Sequence, residues 1–231
     1  MLSGGAAQRL VEAVRGDFQS GTGWRIDGTF GAVGAMKARL LAGEPADVMI
    51  LSRTLIDELV RRGQVRGESV RDIGSVQTAI AVRHGDPPPV IDAAEQLRET
   101  LAAADEIHFP DPQQATAGIH FAKVMKQLGM WDSAAKYLRP APNGATAMRA
   151  LAASTAQRPI GCTQATEILS TAGIVMVGPL PAGCDLATTY AAAATMQASA
   201  QSAALVVLLS DSRRDDLRQG LGFDALKRPS G

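Results

Sequence analysis

A two-lobe α/β protein, with each lobe doubly wound and two strands crossing between the lobes, is predicted by three features of the chain. Apolar runs of strand length alternate with amphipathic helical stretches, the pattern of parallel strands covered by helices. The pattern runs twice, with a break at Asp86-Pro87-Pro88-Pro89. Two long strand-like stretches, 73–83 and 186–193, stand where a chain would leave a first lobe and return to it. The lobes are accordingly expected at 1–82 with 187–231 and at 83–186, enclosing a cleft.

The elements follow in order. After a short first strand at Met1-Leu2-Ser3, Leu10, Val11, Val14 and Phe18 recur at helical spacing and predict a helix over 7–18, closed by Gly21 and Gly23. Residues 24–30 partly alternate and predict the second strand, and Met36, Leu40 and Leu41 mark the next helix. Val48-Met49-Ile50-Leu51 is continuously apolar, as in a strand buried on both faces. A helix over 54–62 ends at Gly63. The second run predicts a helix over 93–104, a strand over 106–109 and a helix over 116–128. An irregular turn is expected at 139–144, then a helix over 145–153 with Asn143 as its cap. A strand over 159–163, a helix over 164–169 and a strand over 174–177 complete that run. Helices over 199–209 and 213–219 are expected to pack on the first lobe.

Composition narrows the function. With 231 residues, 46% hydrophobic and 20% charged, the chain has the makeup of a globular protein. Lys plus Arg and Asp plus Glu are both 23, and no basic stripe advertises nucleic acid as a partner. The longest strongly apolar run, 203–209, is too short to insert across a bilayer. Aromatics at 4% are too scarce for a site built from stacking platforms. Cys162 and Cys184 lack metal-ligand spacing; a disulfide and two buried thiols are both open readings. No cofactor is signalled: Gly-x-Ser-x-Gly, Gly-Lys followed by Ser or Thr, and His-x-x-x-His are all missing. A secretory pattern is missing from the start, so the chain is periplasmic if a leader was removed and cytoplasmic if natively leaderless.

Two stretches suggest a ligand. Leu2-Ser3-Gly4-Gly5-Ala6-Ala7-Gln8 and Thr29-Phe30-Gly31-Ala32-Val33-Gly34-Ala35 each run through glycine into a helix start. Small residues let backbone NH groups approach a ligand, and the helix start adds unpaired donors and positive dipole, so the two turns together suit an anion. Residues 3–14 with Thr22-Gly23-Trp24, then 29–41, then Gly43-Glu44-Pro45-Ala46-Asp47-Val48, resemble the opening of the periplasmic molybdate-binding protein family. Phe109-Pro110-Asp111-Pro112, Ala117-Gly118 and Phe121-Ala122-Lys123 look like that family's central segment. Asn143 with Ala150-Leu151, and Gly161 with Thr166-Glu167, look like its later ligand-facing turns. The resemblance covers about residues 2–223 and implies a type II periplasmic-binding-protein fold, a small anionic ligand and an ABC transporter membrane component as partner.

In that family hydroxyls, backbone NH groups and a tyrosine hold the oxyanion. Here the two serine positions correspond to Ala6 and Val33 and the tyrosine position to Gln164, so the resemblance implies an organic carboxylate rather than molybdate. The ligand set it implies is Ser3, Gly4, Gly5, Ala6, Ala32, Val33, Thr116, Ala117, Asn143, Thr146, Thr163 and Gln164. Asn143 has capping as its ordinary explanation. The rival reading is an isomerase of a small di- or tricarboxylate, because the family also resembles aconitate isomerase. It needs a group that takes up a proton: His120, one turn after Thr116, is the candidate, with Asp111, Cys162 and Lys123 nearby and His84 and His108 weaker. A solvated histidine on a helix face is the commoner explanation for His120. A ligand sensor ranks last, since no DNA-binding or membrane segment accompanies the pattern.

Overall fold

The computed structural model describes residues 1–224. In chain order the elements are β1 (Leu2–Gly4), α1 (Gln8–Thr22), β2 (Thr29–Gly31), α2 (Val33–Leu41), β3 (Val48–Ser52), α3 (Arg53–Arg61) and β4 (Arg71–Arg83). They continue with α4 (Ala94–Ala103), β5 (Glu106–Pro110), α5 (Thr116–Gln127), β6 (Leu138–Ala141), α6 (Gly144–Ala153) and β7 (Pro159–Gln164). The last are α7 (Ala165–Leu169), β8 (Ile174–Pro179), β9 (Ala187–Ala194), α8 (Ala200–Ser210) and α9 (Asp215–Gly220).

The chain divides into two compact units, Met1–Val76 with the chain from Thr188 onward, and Gln77–Ala187. It passes between them inside β4 and again at the start of β9. The expected first lobe ran to residue 231, and its last part, 225–231, lies outside the described residues.

Both units use one topology. In the first, β1 lies between β2 and β3, all parallel, and β9 pairs antiparallel with β3. In the second, β5 lies between β6 and β7, again parallel, and β4 pairs antiparallel with β7, while β8 pairs with β4. The chain therefore reverses its direction of travel across the sheet next to β1 and next to β5. Such a reversal leaves a crevice outside the carboxyl ends of the parallel strands.

Burial follows the pattern of the residues. All of β3 is buried, as its unbroken apolar run requires. In the second unit Ile80, Leu97, Ile107, Phe109, Phe121 and Cys162 belong to one core, with the Phe109 and Phe121 rings 5.5 Å apart and tilted.

Three local expectations are corrected. The second strand is only Thr29–Gly31, not 24–30: Trp24 and Arg25 are exposed, and nothing holds them to a ladder. The turn expected at 139–144 begins as strand β6, which pairs with β5 through Pro140. Proline lacks a ladder donor, yet β6 is the last strand of its sheet, where one side needs none. Residue 164 closes β7 instead of opening the helix, which starts at Ala165.

Two glycines give opposite predictions. A Cβ on Gly118 would collide with the carbonyl oxygens of Pro110 and Asp111, because α5 packs directly on the end of β5. Gly16, inside α1, has nothing within 4 Å of such an atom. Thermal denaturation is expected to show Gly118→Ala destabilised by about 1 to 3 kcal/mol. Gly16→Ala is expected to be stabilised by about 0.5 to 1 kcal/mol, the helix-interior difference between the two residues.

Candidate functional site

The parallel strands of the first unit end in helix starts. Gly4 leads through a 3-10 turn, Gly5–Ala7, into α1; Ala32 precedes α2; Ser52 precedes α3. Gly4, Ala32 and Ser52 all have extended backbones, with φ near −60° and ψ of 142°, 136° and 145°. None of them sends a side-chain hydrogen bond to the helix it introduces. The first amides of a helix have no partner within it, and they carry the positive end of its dipole. Gly4 and Gly31 are in register, so the ends of β1 and β2 are neighbours. Gly4 also admits no side chain: its Cβ would stand 2.8 Å from Val33 Cγ1 and 3.2 Å from Tyr190 Cε1. Ser3 is buried and donates its hydroxyl to the Gly4 carbonyl at 2.9 Å, so that hydrogen is already committed. Ala6, Ala32 and Val33 are buried, and Gly5 is half-buried.

In the second unit α5 and α7 likewise begin without a side-chain cap, at Ala115 and Gln164. Thr116 and Ala117 open α5, with Ala117 buried. Gln164 is buried at the end of β7. The start of α6 differs. Asn143 Oδ1 accepts the Thr146 amide at 2.9 Å, the cap that the sequence predicts. The buried Glu167 carboxylate accepts the Thr163 hydroxyl at 2.6 Å and the amides of Gln164 and Ala145. Gly144 leaves room for it, because a Cβ there would overlap the Glu167 carboxylate and the Thr163 hydroxyl. Thr146 Oγ1 in turn accepts from Arg149 at 3.0 Å. The α6 start thus already holds an anion of its own. Of the residues that the resemblance implies, Ser3, Asn143, Thr146, Thr163 and the Gln164 amide are engaged internally, whereas Gly4, Gly5, Ala6, Ala32, Val33, Thr116 and Ala117 stand at helix starts whose cap residue makes no side-chain bond.

The proton-transfer candidates fare unevenly. His120 Nε2 donates to the Cys184 carbonyl at 2.7 Å, tying α5 to the turn before β9. Asp111 Oδ1 accepts the amides of Gln113 and Gln114 at 2.7 and 3.1 Å, which makes it a turn-forming residue. Lys123 and His84 are exposed. His108 is buried in β5 with Nε2 3.0 Å from Glu106; burial lowers its pKa, and the carboxylate opposes that shift. Cys162 and Cys184 are both buried free thiols, and burial raises the pKa of each. That settles the open reading of the pair in favour of thiols.

The sequence places Thr166-Glu167 in a turn resembling a ligand-facing one but gives Glu167 no role; its clue is a lone acid four residues after Thr163 in an otherwise uncharged stretch. Sequence reasoning missed Thr78, whose hydroxyl, like that of Thr166, is buried without a hydrogen-bond partner among the described residues. Among the described residues no group of three or more His, Cys, Asp and Glu could hold a metal ion, and no helix is long and apolar enough to cross a membrane. A cavity of about 420 Å³ opens at the other end of β7, lined by Val82, Pro87, Pro89, Ala103 and Ile160 among others. Arg158 on its rim is exposed, with its guanidinium 3.6 Å from Asp105.

A family model described as bacterial extracellular solute-binding protein matches residues 1–213. The chain is similar to an aconitate isomerase from a Pseudomonas species, 27% identical over 217 residues that make up 90% of this chain and 79% of the relative. The periplasmic molybdate-binding protein of Azotobacter vinelandii superposes with a TM-score of 0.80 at 16% identity, over 98% of both chains. The sulfate-binding protein of Mycobacterium tuberculosis H37Rv superposes with a TM-score of 0.75 at 17% identity, over 98% of this chain and 86% of the other. The fold is therefore that of the type II periplasmic binding proteins, as the resemblance implies.

Burial pushes the Glu167 carboxyl above its ordinary value of 4.5, and the three donors on it hold the shift back. A carboxyl that holds its proton more tightly when folded stabilises the fold at low pH. That contribution is lost as pH rises from the ordinary value through the folded one. In denaturant titrations the stability difference, wild type minus Glu167→Gln, is expected to fall as pH is raised from 4.5 towards neutrality. A difference that grows over that range would contradict the assignment.

Proposed function

Because the chain belongs to the bacterial extracellular solute-binding protein family, we propose that it captures a small organic carboxylate through the amides of its uncapped helix starts and hands it to an ABC transporter's membrane component. The observation that carries this reading is the contrast among those starts. At Gly4, Ala32, Ala115 and Gln164 the cap residue's side chain makes no bond to the helix, while at α6 Asn143 accepts the Thr146 amide and Glu167 the Ala145 amide. None of the assigned ligand residues is charged, so the binding relies on fixed dipoles, which suit carboxylates as well as inorganic oxyanions. Ala6 and Val33 stand where the molybdate-binding pattern has hydroxyls. A hydrogen bond to a charged group contributes roughly 1.5 to 3 kcal/mol, so their loss disfavours molybdate, and the methyl groups suit a ligand with carbon.

Isothermal titration with succinate, citrate, trans-aconitate, sulfate and molybdate tests the proposal. Binding of at least one organic acid more tightly than either inorganic oxyanion is expected. Silence across the organic acids, or preference for molybdate, would overturn it.

An isomerase is the second reading, and the 27% identical aconitate isomerase favours it. With its Nε2 hydrogen on the Cys184 carbonyl, His120 keeps its Nδ1 lone pair for accepting a proton. Proton NMR of the same acids in deuterated buffer separates the two readings. Deuterium at carbon, or a new alkene isomer, marks an enzyme. Shift changes without exchange mark a binding protein.

Ala32 offers a sharper probe, because its backbone already has the geometry in which aspartate caps a helix. Ala32→Asp is expected to stabilise the fold by about 0.5 to 2 kcal/mol while placing an internal carboxylate on the α2 amides. Affinity for the acid bound by wild type should fall at least about tenfold.

A further inference from the structure

We infer that the Thr78 hydroxyl is a ligand contact, donating its hydrogen to a carboxylate oxygen of an acid bound beside Gln164; the inference rests on the carboxylate-binding reading. Thr78 lies in β4 directly opposite Gln164 of β7 in an antiparallel ladder. Residues paired in this way project from the same face of the sheet, with their Cβ atoms about 4.5–5.5 Å apart. Thr78 therefore stands at the carboxyl end of β7, level with a residue already assigned to the ligand.

Hydrogen-bond accounting isolates the hydroxyl. The Thr78 amide donates to the Leu186 carbonyl at 2.9 Å, and its carbonyl accepts the Leu180 amide at 3.1 Å. The side chain is fully buried, and Oγ1 has no partner among the described residues. Next along the ladder the comparison is direct: Thr163, opposite Ala79, is just as buried and donates to Glu167. Valine would fill the Thr78 position with the same shape and without a stranded polar atom, so the hydroxyl costs stability in the unliganded protein. A buried polar atom of this kind is accounted for when its partner arrives with something that binds. Thr166 has an unpartnered hydroxyl too, but it lies within α7 and has no ladder register that sets it beside Gln164.

The hydroxyl can donate one hydrogen, and a carboxylate can only accept, so the match is chemical as well as positional. A short O–H to carboxylate bond formed out of water is among the stronger protein hydrogen bonds.

The test compares wild type, Thr78→Val and Thr78→Ser by titration with succinate, citrate and trans-aconitate and by melting in the absence of ligand. For the acid that wild type binds, Thr78→Val is expected to lose about tenfold or more in affinity, while Thr78→Ser stays within about threefold. Ligand-free Thr78→Val is expected to melt higher than wild type. Equal affinity of Thr78→Val and wild type would overturn this inference and leave the carboxylate reading standing. A ligand-free Thr78→Val that melts lower would also overturn it, because the hydroxyl would then have a partner in the free protein. If wild type binds none of the acids, the carboxylate reading falls and takes this inference with it.

Discussion

An α-helix that begins at the end of a buried strand leaves its first amides without acceptors, and something has to satisfy them. Proteins commonly solve this with a serine, aspartate or asparagine at the cap. Here Gly4, Ala32, Ala115 and Gln164 occupy those positions, and none of them provides a capping side-chain bond. The sheet topology makes this consequential, because β1 and β5 each sit where the order of strands reverses, so uncapped starts gather at the carboxyl ends of the strands. In each unit the same reversal that orders the strands sets its uncapped helix starts at one end of them.

Glu167 shows the alternative solution within the same chain. Its carboxylate accepts the Ala145 amide at the start of α6 and the Thr163 hydroxyl, and sits where Gly144 leaves space. Burying that carboxylate is tolerable because its hydrogen bonds replace those it loses from water. It also fixes the end of β7 by its bond to the Gln164 amide. On the proposed reading, discrimination against inorganic oxyanions rests on Ala6 and Val33, where the resemblance places hydroxyls, rather than on any repelling charge.

Much of this was legible in the residues. Val48 to Leu51 announces a strand covered on both faces, the stretch at 73–83 announces a crossing, and Asn143 announces a cap. The helix starts were legible through their small residues, since a turn through Gly4 or Gly31 followed by amphipathic spacing has few other meanings. What escaped depends on contacts between distant segments. Pro140 argues locally for a turn, and only its place at the sheet edge permits a strand. Glu167 resembles part of a ligand-facing turn in the sequence, and its internal role at the start of α6 emerges only when Gly144 is packed against it. Thr78 looks like an ordinary strand residue, and its stranded hydroxyl emerges only when every neighbour is in place.

The most direct measurement is an amide-resolved NMR titration of the protein with the organic acid it binds best. Main-chain recognition at uncapped helix starts requires the largest downfield shifts at the amides of Gly5, Ala6, Val33, Ala117 and Ala165, with Ala145 and Thr146 scarcely moved because Glu167 and Asn143 already hold them. Shifts confined to Val82, Ala103 and Ile160, around the cavity at the start of β7, would contradict it and place the ligand at the opposite end of the strand.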